Sequence, residues 1–403
     1  MTTDAISIPQ TNEKQKSVGA FSTGMALFSM FFGAGNLIFP LIIGRMSGNE
    51  TPIAIVGLGI SAVAFPLLGL LAMMFFAGDI HAFLNRLGKG PALALLFALQ
   101  MSMGPLGCLP RLITLMHASV KSYFPDLSLF IFSILTCGVI FLLTFRPQKI
   151  VGLLGVILTP LFLLIMGILI VVGMIHAPDT QPVSGTSVHY FGQGLKLGYQ
   201  TMDLICALLF ATIVLPHLTR GTENLPQEEA KKITYRRMGM ASLVAALLLM
   251  VSYIGLCWIS AHHSWTLPSD LPPEELLQGI AIKILGPFGG LIAAGTTLLA
   301  CLTTAMSLSV VFAHYLHKDV FANKGGNSLA LGITLAATAA VATMGFSGIV
   351  KLWGPILDVL YPSLIVLCLF NIAHCVYRVQ PVKAPVFLTL GVAFAALCYT
   401  RMF

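Results

Sequence analysis

Polar side chains are scarce in the apolar stretches of this 403-residue chain, and they gather at a few places. "FFGAGNLIFP" (Phe31 to Pro40) sets Gly33, Gly35, Asn36 and Pro40 inside an apolar run that starts near Val18. "GLKLGYQTMDLICALLF" brings Gly198, Gln200, Thr201 and Asp203 to the head of another, and "LLACLTTAMSLS" puts the hydroxyls of Thr303 and Thr304 side by side in a third. The chemistry open to such groups is coordination rather than bond-making. Hydrolysis or group transfer needs a nucleophile with its base, paired carboxylates or metal ligands. Of the acids, only Asp203 and Asp358 fall deep in apolar runs; they lie in different runs, and no GxSxG or HExxH accompanies them. "GAGN" lacks the spacing and the strand-to-helix context of a dinucleotide loop. The eight cysteines lie in or beside apolar runs without a CxxC and read as small packing residues, and the ten histidines scatter without paired spacing.

Positioning these groups falls to membrane helices. Hydrophobic residues make up 57% of the chain and charged residues 9%, with a mean hydropathy of +0.91, far from the soluble range. Stretches of about 20 apolar residues recur between short polar loops. They lack the alternating ten-residue pattern of a barrel, so an all-α integral membrane protein of about eleven transmembrane helices is predicted. The third span, Pro91 to Ser119, and the eighth, Pro287 to Leu316, exceed a perpendicular crossing and call for tilt. With the loops assigned alternately, Lys and Arg crowd the side of the N-terminus, leaving Arg45, Lys121, Lys196, Lys283, Lys351 and Arg401 on the other. The positive-inside rule then sets the N-terminus in the cytoplasm and the C-terminus outside. The net charge of +7 is thereby mostly a topology signal, and no basic domain suggests nucleic acid.

Gly33 and Gly35 have no side chain to hold the helical well, and Asn36 competes for backbone hydrogen bonds, so the first helix is expected to unwind near mid-membrane. Exposed backbone in lipid costs several kcal/mol per unpaired group, and it persists where a ligand, an ion or a water-lined cavity replaces the lost bonds. Close packing through small residues explains glycines equally well, but Asn36 and Pro40 favour a break. The polar cluster at the start of the sixth span is a second interruption. Matching interruptions in two halves point to a 5+5 inverted-repeat transporter with its site at the repeat interface. The division is a tail at 1–17, a first repeat at 18–175 (helices one to five), an extracellular loop at 176–197, a second repeat at 198–372 (helices six to ten) and an additional C-terminal helix at 384–403. Positive half-helix ends suit a substrate carboxylate and freed carbonyls suit a cation, so an amino acid with an apolar side chain fits. Thr303 and Thr304 offer hard oxygen donors for Na⁺, or merely bond back to their own helix. Asp203 either joins the cation site, carries a coupled proton, or caps the second half of its helix.

"MALFSMFFGAGNLIFP" (Met25 to Pro40), "GPLGCLPRLITL" (Gly104 to Leu115), "GYQTMDLICALLFATIV" (Gly198 to Val214), "ACLTTAMSLS" (Ala300 to Ser309) and "LYPSLIVL" (Leu360 to Leu367) resemble, in order, the signatures of the bacterial branched-chain amino acid:cation symporter family. The resemblance implies the leucine-transporter type of fold and uptake of leucine, isoleucine and valine with Na⁺ or H⁺ through the inner membrane by alternating access, without a cofactor. It implies substrate contacts at Gly33, Ala34, Gly35 and Asn36, and at Tyr199, Gln200, Thr201, Met202 and Asp203. A cation, Na⁺ for example, would be held near the carbonyls of Ser29 and Phe32 by Thr303 and Thr304. The motif of the third helix includes Pro105, Pro110 and Arg111, and an intramembrane Arg faces protein or water, as a structural pair with Asp203 or Asp358 or as a gate. Members usually have twelve helices against about eleven here. A monomer or weak homo-oligomer in the lipid bilayer is expected, and a channel or a membrane enzyme for a small hydrophobic substrate are the rival classes.

Two loops complete the reading. "RGTENLPQEEAKKITYRR" (Arg220 to Arg237) is expected to be a solvated cytoplasmic connector with a short helix. "LPSDLPPEELLQGIAIKI" (Leu267 to Ile284) has Pro273 ahead of an amphipathic run and predicts an outer helix that could act as a lid.

Overall fold

The computed structural model describes residues 20–144, 159–219, 222, 225–380 and 382–402. The expected tail at 1–17 and the start of the fifth span lie outside the described residues. The first span is two helices, α1 (Ala20–Phe31) and α2 (Ala34–Ser47), parted at Phe32 and Gly33. Gly33 is extended, and Pro40 inside α2 leaves the carbonyl of Asn36 without an amide four residues on. The second span runs through α3 (Thr51–Gly59) and α4 (Phe65–Phe75), joined by one π turn at Ile60–Ala64 just before Pro66. A short helix, α5 (Ile80–Leu84), is capped by the carboxylate of Asp79, which accepts from the amides of His81 and Ala82 at 2.9 and 3.0 Å.

The third span departs from the continuous helix expected of it. It is α6 (Lys89–Met103) and α7 (Cys108–Lys121), interrupted where Gly104, Pro105 and Gly107 cluster. Pro105 has no N–H to extend α6, whereas Pro110 sits in the first turn of α7, where none is needed. Next come α8 (Leu129–Thr144) and α9 (Thr159–Ile175). The sixth span begins earlier than its hydropathy suggests: α10 (Ser187–Tyr199) occupies much of the stretch read as a loop at 176–197, and α11 (Asp203–Leu218) follows after the break. Its "SVHYFGQGLKLGY" is too rich in Gly and polar residues to score as a span, yet Thr186 caps it by accepting from the His189 amide at 3.3 Å.

The long α12 (Gln227–His263) absorbs most of the charged connector into the seventh helix instead of leaving a separate short one. The eighth, α13 (Leu276–Tyr315), turns at Gly286 (φ +71), so the part before it is the expected outer helix and the part after it is the span. The series closes with α14 (Asn327–Ala342), α15 (Gly345–Tyr377) and α16 (Lys383–Met402). Among the described residues five helical stretches, between Ala34 and Tyr377, are long and apolar enough to cross a membrane, and shorter apolar helices accompany them.

Packing follows an exchange of the two halves. The first helix (α1, α2) lies along the seventh (α12), and the sixth (α10, α11) lies along the second (α3, α4). The third packs on the eighth and on the tenth (α15), while the eighth packs on the fifth (α9). The fourth (α8) packs on the ninth (α14). Exchanging one with six, two with seven, three with eight, four with nine and five with ten returns the same set of pairs, as an inverted repeat requires. Small residues allow the close approach: a Cβ on Gly44 would run into the carbonyl of Cys257, and one on Gly194 into that of Ala54.

Candidate functional site

Both helix breaks come to one place. A Cβ on Gly35 would stand 3.0 Å from Cα of Thr201 and 3.3 Å from its carbonyl oxygen, so the absence of a side chain lets the backbone after the first break touch the backbone of the second. Asn36 secures both sides. Its Oδ1 accepts from the Gly33 amide at 3.1 Å, and its Nδ2 donates to the two carboxylate oxygens of Asp203 at 2.9 and 2.8 Å and to the hydroxyl of Tyr253. Tyr253, on α12, donates in turn to Asp203 Oδ2 at 2.8 Å. Asn36, Asp203 and Tyr253 are at most 1% exposed, so this network is sealed from water.

The second break has its own supports. Met202 adopts φ +64, a conformation that side chains other than glycine's rarely take, and it is buried. Thr201 Oγ1 donates back to the Gly198 carbonyl at 2.8 Å, and Gln200 Nε2 donates to the Gly354 carbonyl at 3.4 Å. The ring of Tyr199 lies 4.8 Å from that of Tyr361, whose hydroxyl accepts the Leu204 amide at 3.2 Å. The first amide after Asp203 is therefore met by Tyr361, while the Asp203 carboxylate turns across to the first helix. Ala34 is buried as the first residue of α2.

The four residues expected near a cation also converge. Thr304 Oγ1 donates to the Phe32 carbonyl at 3.3 Å and to the Ala300 carbonyl at 3.0 Å, and Thr303 Oγ1 donates to Ala300 at 2.9 Å. Ser29, Phe32 and Thr303 line a small cleft with Phe28, Phe162 and Ala300. A second cleft, about 350 Å³ and almost wholly apolar, lies between α2, α9 and both parts of α13, with Leu37, Met166, Leu277 and Thr297 among its walls. Phe162 belongs to both clefts.

The pairing of Arg111 with Asp203 or Asp358, the alternative to a gate, is not formed among the described residues. Asp358 pairs with Lys196 at 3.4 Å, on α15 and α10 respectively. Arg111, four residues into α7 and 2% exposed, pairs with neither Asp358 nor Asp203; its Nη1 donates to the Gln200 carbonyl at 3.0 Å, at the end of the broken sixth helix. The third helix's own break, which holds Pro105, is pinned from α15 by Trp353, whose Nε1 donates to the Leu106 carbonyl at 2.5 Å. Sequence reasoning passed over Tyr253, Tyr361 and Phe162. The two tyrosines carry the available signal, a polar tip on a ring inside an apolar helix, which needs a partner when buried. Phe162 carries none.

The sequence profile of branched-chain amino acid transport proteins matches residues 16–400. The chain is 29% identical over 363 residues to the branched-chain amino acid permease BrnQ of Bacillus subtilis (strain 168), an alignment that covers 88% of this chain and 81% of that protein. Among solved structures it is similar to the inward-facing conformation of Mhp1, with a TM-score of 0.63, 12% identity and coverage of 96% and 92% of the two chains. A substrate-bound, outward-open Na⁺-coupled sialic acid symporter gives a TM-score of 0.57 at 11% identity, covering 96% of this chain and 90% of that one. At such identities the two structures speak to the fold.

Proposed function

The chain belongs to the branched-chain amino acid transport protein family, and from that premise we propose that it imports leucine, isoleucine and valine with a cation, Na⁺ or H⁺, by alternating access. It is a multi-pass membrane transporter and not an enzyme. The observation that carries the finer reading is the meeting of two broken helices at one buried level, joined by Asn36 and Asp203. Backbone broken inside a membrane protein is tolerated where it is buried in protein or lines a cavity, and both conditions hold beside Phe32.

The substrate ammonium is assigned to Asp203, a carboxylate that accepts from neutral donors alone. Gly33, Ala34, Gly35, Asn36 and the segment Tyr199 to Met202 supply the surrounding main chain. The positive ends of α2 and α11 open towards the break and favour negative charge there. Coupling falls to Ser29, Phe32, Thr303 and Thr304, whose carbonyls and hydroxyls are the hard oxygen ligands a small cation takes. The Lys196–Asp358 pair joins α10 to α15, the sixth helix to the tenth, within the second repeat. The setting is the bacterial inner membrane, with the N-terminus in the cytoplasm, the C-terminus outside, and a monomer or weak oligomer as the working unit.

Purified protein in liposomes tests this reading. Leucine should accumulate only when an inward gradient of Na⁺ or of H⁺ is imposed, and exchanging the two ions one at a time identifies the driver. Leakage indifferent to either gradient would instead describe a channel.

A further inference from the structure

We infer that Arg111 is the anchor for the substrate's carboxylate, with Nε and Nη2 as the donors. This rests on the amino-acid reading above and adds to it the group that recognises the acid end. Nη1 is taken up by the Gln200 carbonyl at 3.0 Å, whereas Nε and Nη2 are buried and have no hydrogen-bond partner among the described residues. Those two atoms share one edge of the planar guanidinium, the edge that gives two parallel N–H bonds to the two oxygens of a carboxylate.

No described residue neutralises this arginine. Among the described residues no carboxylate lies within ion-pair distance of it: Asp203 is held by Asn36 and Tyr253, and Asp358 by Lys196. An unpaired buried cation is costly, and a membrane protein that keeps one puts it where a ligand or counter-ion arrives. Its position sharpens the point. Arg111 stands near the start of α7, whose own dipole is positive at that end, so the helix adds to the arginine's pull on an anion instead of offsetting it. The bond to Gln200 ties the guanidinium to the same break that ends at Asp203. One zwitterion can thus lie across the second break with its ammonium towards Asp203 and its carboxylate towards Arg111. Gln200 Oε1 is likewise buried without a hydrogen-bond partner among the described residues.

Binding of leucine and of leucinamide, which lacks the carboxylate, to purified protein tests the assignment. Wild-type protein should prefer leucine by about thirtyfold or more, the scale of a charge-assisted bidentate contact. In Arg111→Gln the preference should fall to within about threefold, through loss of leucine affinity, with leucinamide unchanged; Arg111→Lys should lie between. A purely structural arginine, holding only the Gln200 carbonyl, would weaken both ligands together and keep their ratio, and that result overturns the inference. Should Arg111→Gln fail to fold, the wild-type ratio still decides: equal affinity for leucine and leucinamide refutes a carboxylate anchor. Binding of no branched-chain amino acid by the wild-type protein would sink the substrate reading and this site with it. Leucine binding with an unaltered ratio in the variant removes the arginine alone.

Discussion

Asp203 is the residue on which the account leans hardest. Its carboxylate is buried without a cationic partner among the described residues, held by an amide and a phenol. Such a group is expensive to keep charged, so a ligand that supplies positive charge has a large differential effect there. Asp203→Asn should lower leucine affinity by about ten- to a hundredfold, the loss of one hydrogen bond to a charged group, as read by equilibrium binding. Unchanged affinity and unchanged cation dependence would leave it a structural role only. Tyr253→Phe removes one neutral donor from Oδ2 and should cost about fivefold. Thr304→Val keeps the shape of the side chain and deletes the hydroxyl that reaches Phe32. Half-saturating cation in uptake assays should rise about tenfold while leucine affinity at saturating cation stays near wild type. A parallel loss at all cation concentrations would argue for packing instead of coordination.

At the scale of the element, two glycines two residues apart should behave in opposite ways. A Cβ on Gly35 would stand 3.0 Å from Thr201 Cα, whereas one on extended Gly33 would find its nearest neighbour, Thr304 Cγ2, at 3.5 Å. Gly35→Val should therefore abolish uptake and cost about 1–3 kcal/mol of stability by overpacking, whereas Gly33→Ala should fold and melt much like wild type. Equal tolerance at both sites, measured by thermal denaturation and uptake, would mean that the breaks do not touch. The first break was legible because Gly33, Gly35, Asn36 and Pro40 are anomalous for an apolar helix, and the second because Gln200, Thr201 and Asp203 are polar. The half-helix before the second break was not, since α10 buries itself through Gly194 against α3 and through Gly198 against the π turn that follows it, and needs no apolar run. Nor was the interruption of the third helix, because Gly104 and Pro105 sit inside a stretch greasy enough to pass as continuous. Partners distant in sequence stayed hidden for the same reason: the bond from Asn36 to Tyr253 spans 217 residues, and nothing local announces it.

For the whole molecule, the packing exchange between halves is what makes alternating access mechanically reasonable, because the broken first and sixth helices each rest on the second helix of the other repeat. The sidedness proposed from charge can be read chemically. Cys375 is exposed near the end of α15, on the side rich in Lys and Arg, and Ser269 is exposed before the outer helix on the opposite side. In right-side-out vesicles a membrane-impermeant maleimide should label Ser269→Cys and spare Cys375. The reverse pattern would invert the topology and leave the fold untouched.

The central claim, that two meeting breaks hold a small zwitterion whose uptake a cation drives, is tested most directly by radiolabelled leucine uptake into proteoliposomes under imposed ion gradients. Transient accumulation above equilibrium with an inward Na⁺ or H⁺ gradient, lost in Asp203→Asn, is the expected result. Equilibration at the same rate with and without either gradient, in wild type and variant alike, would contradict it.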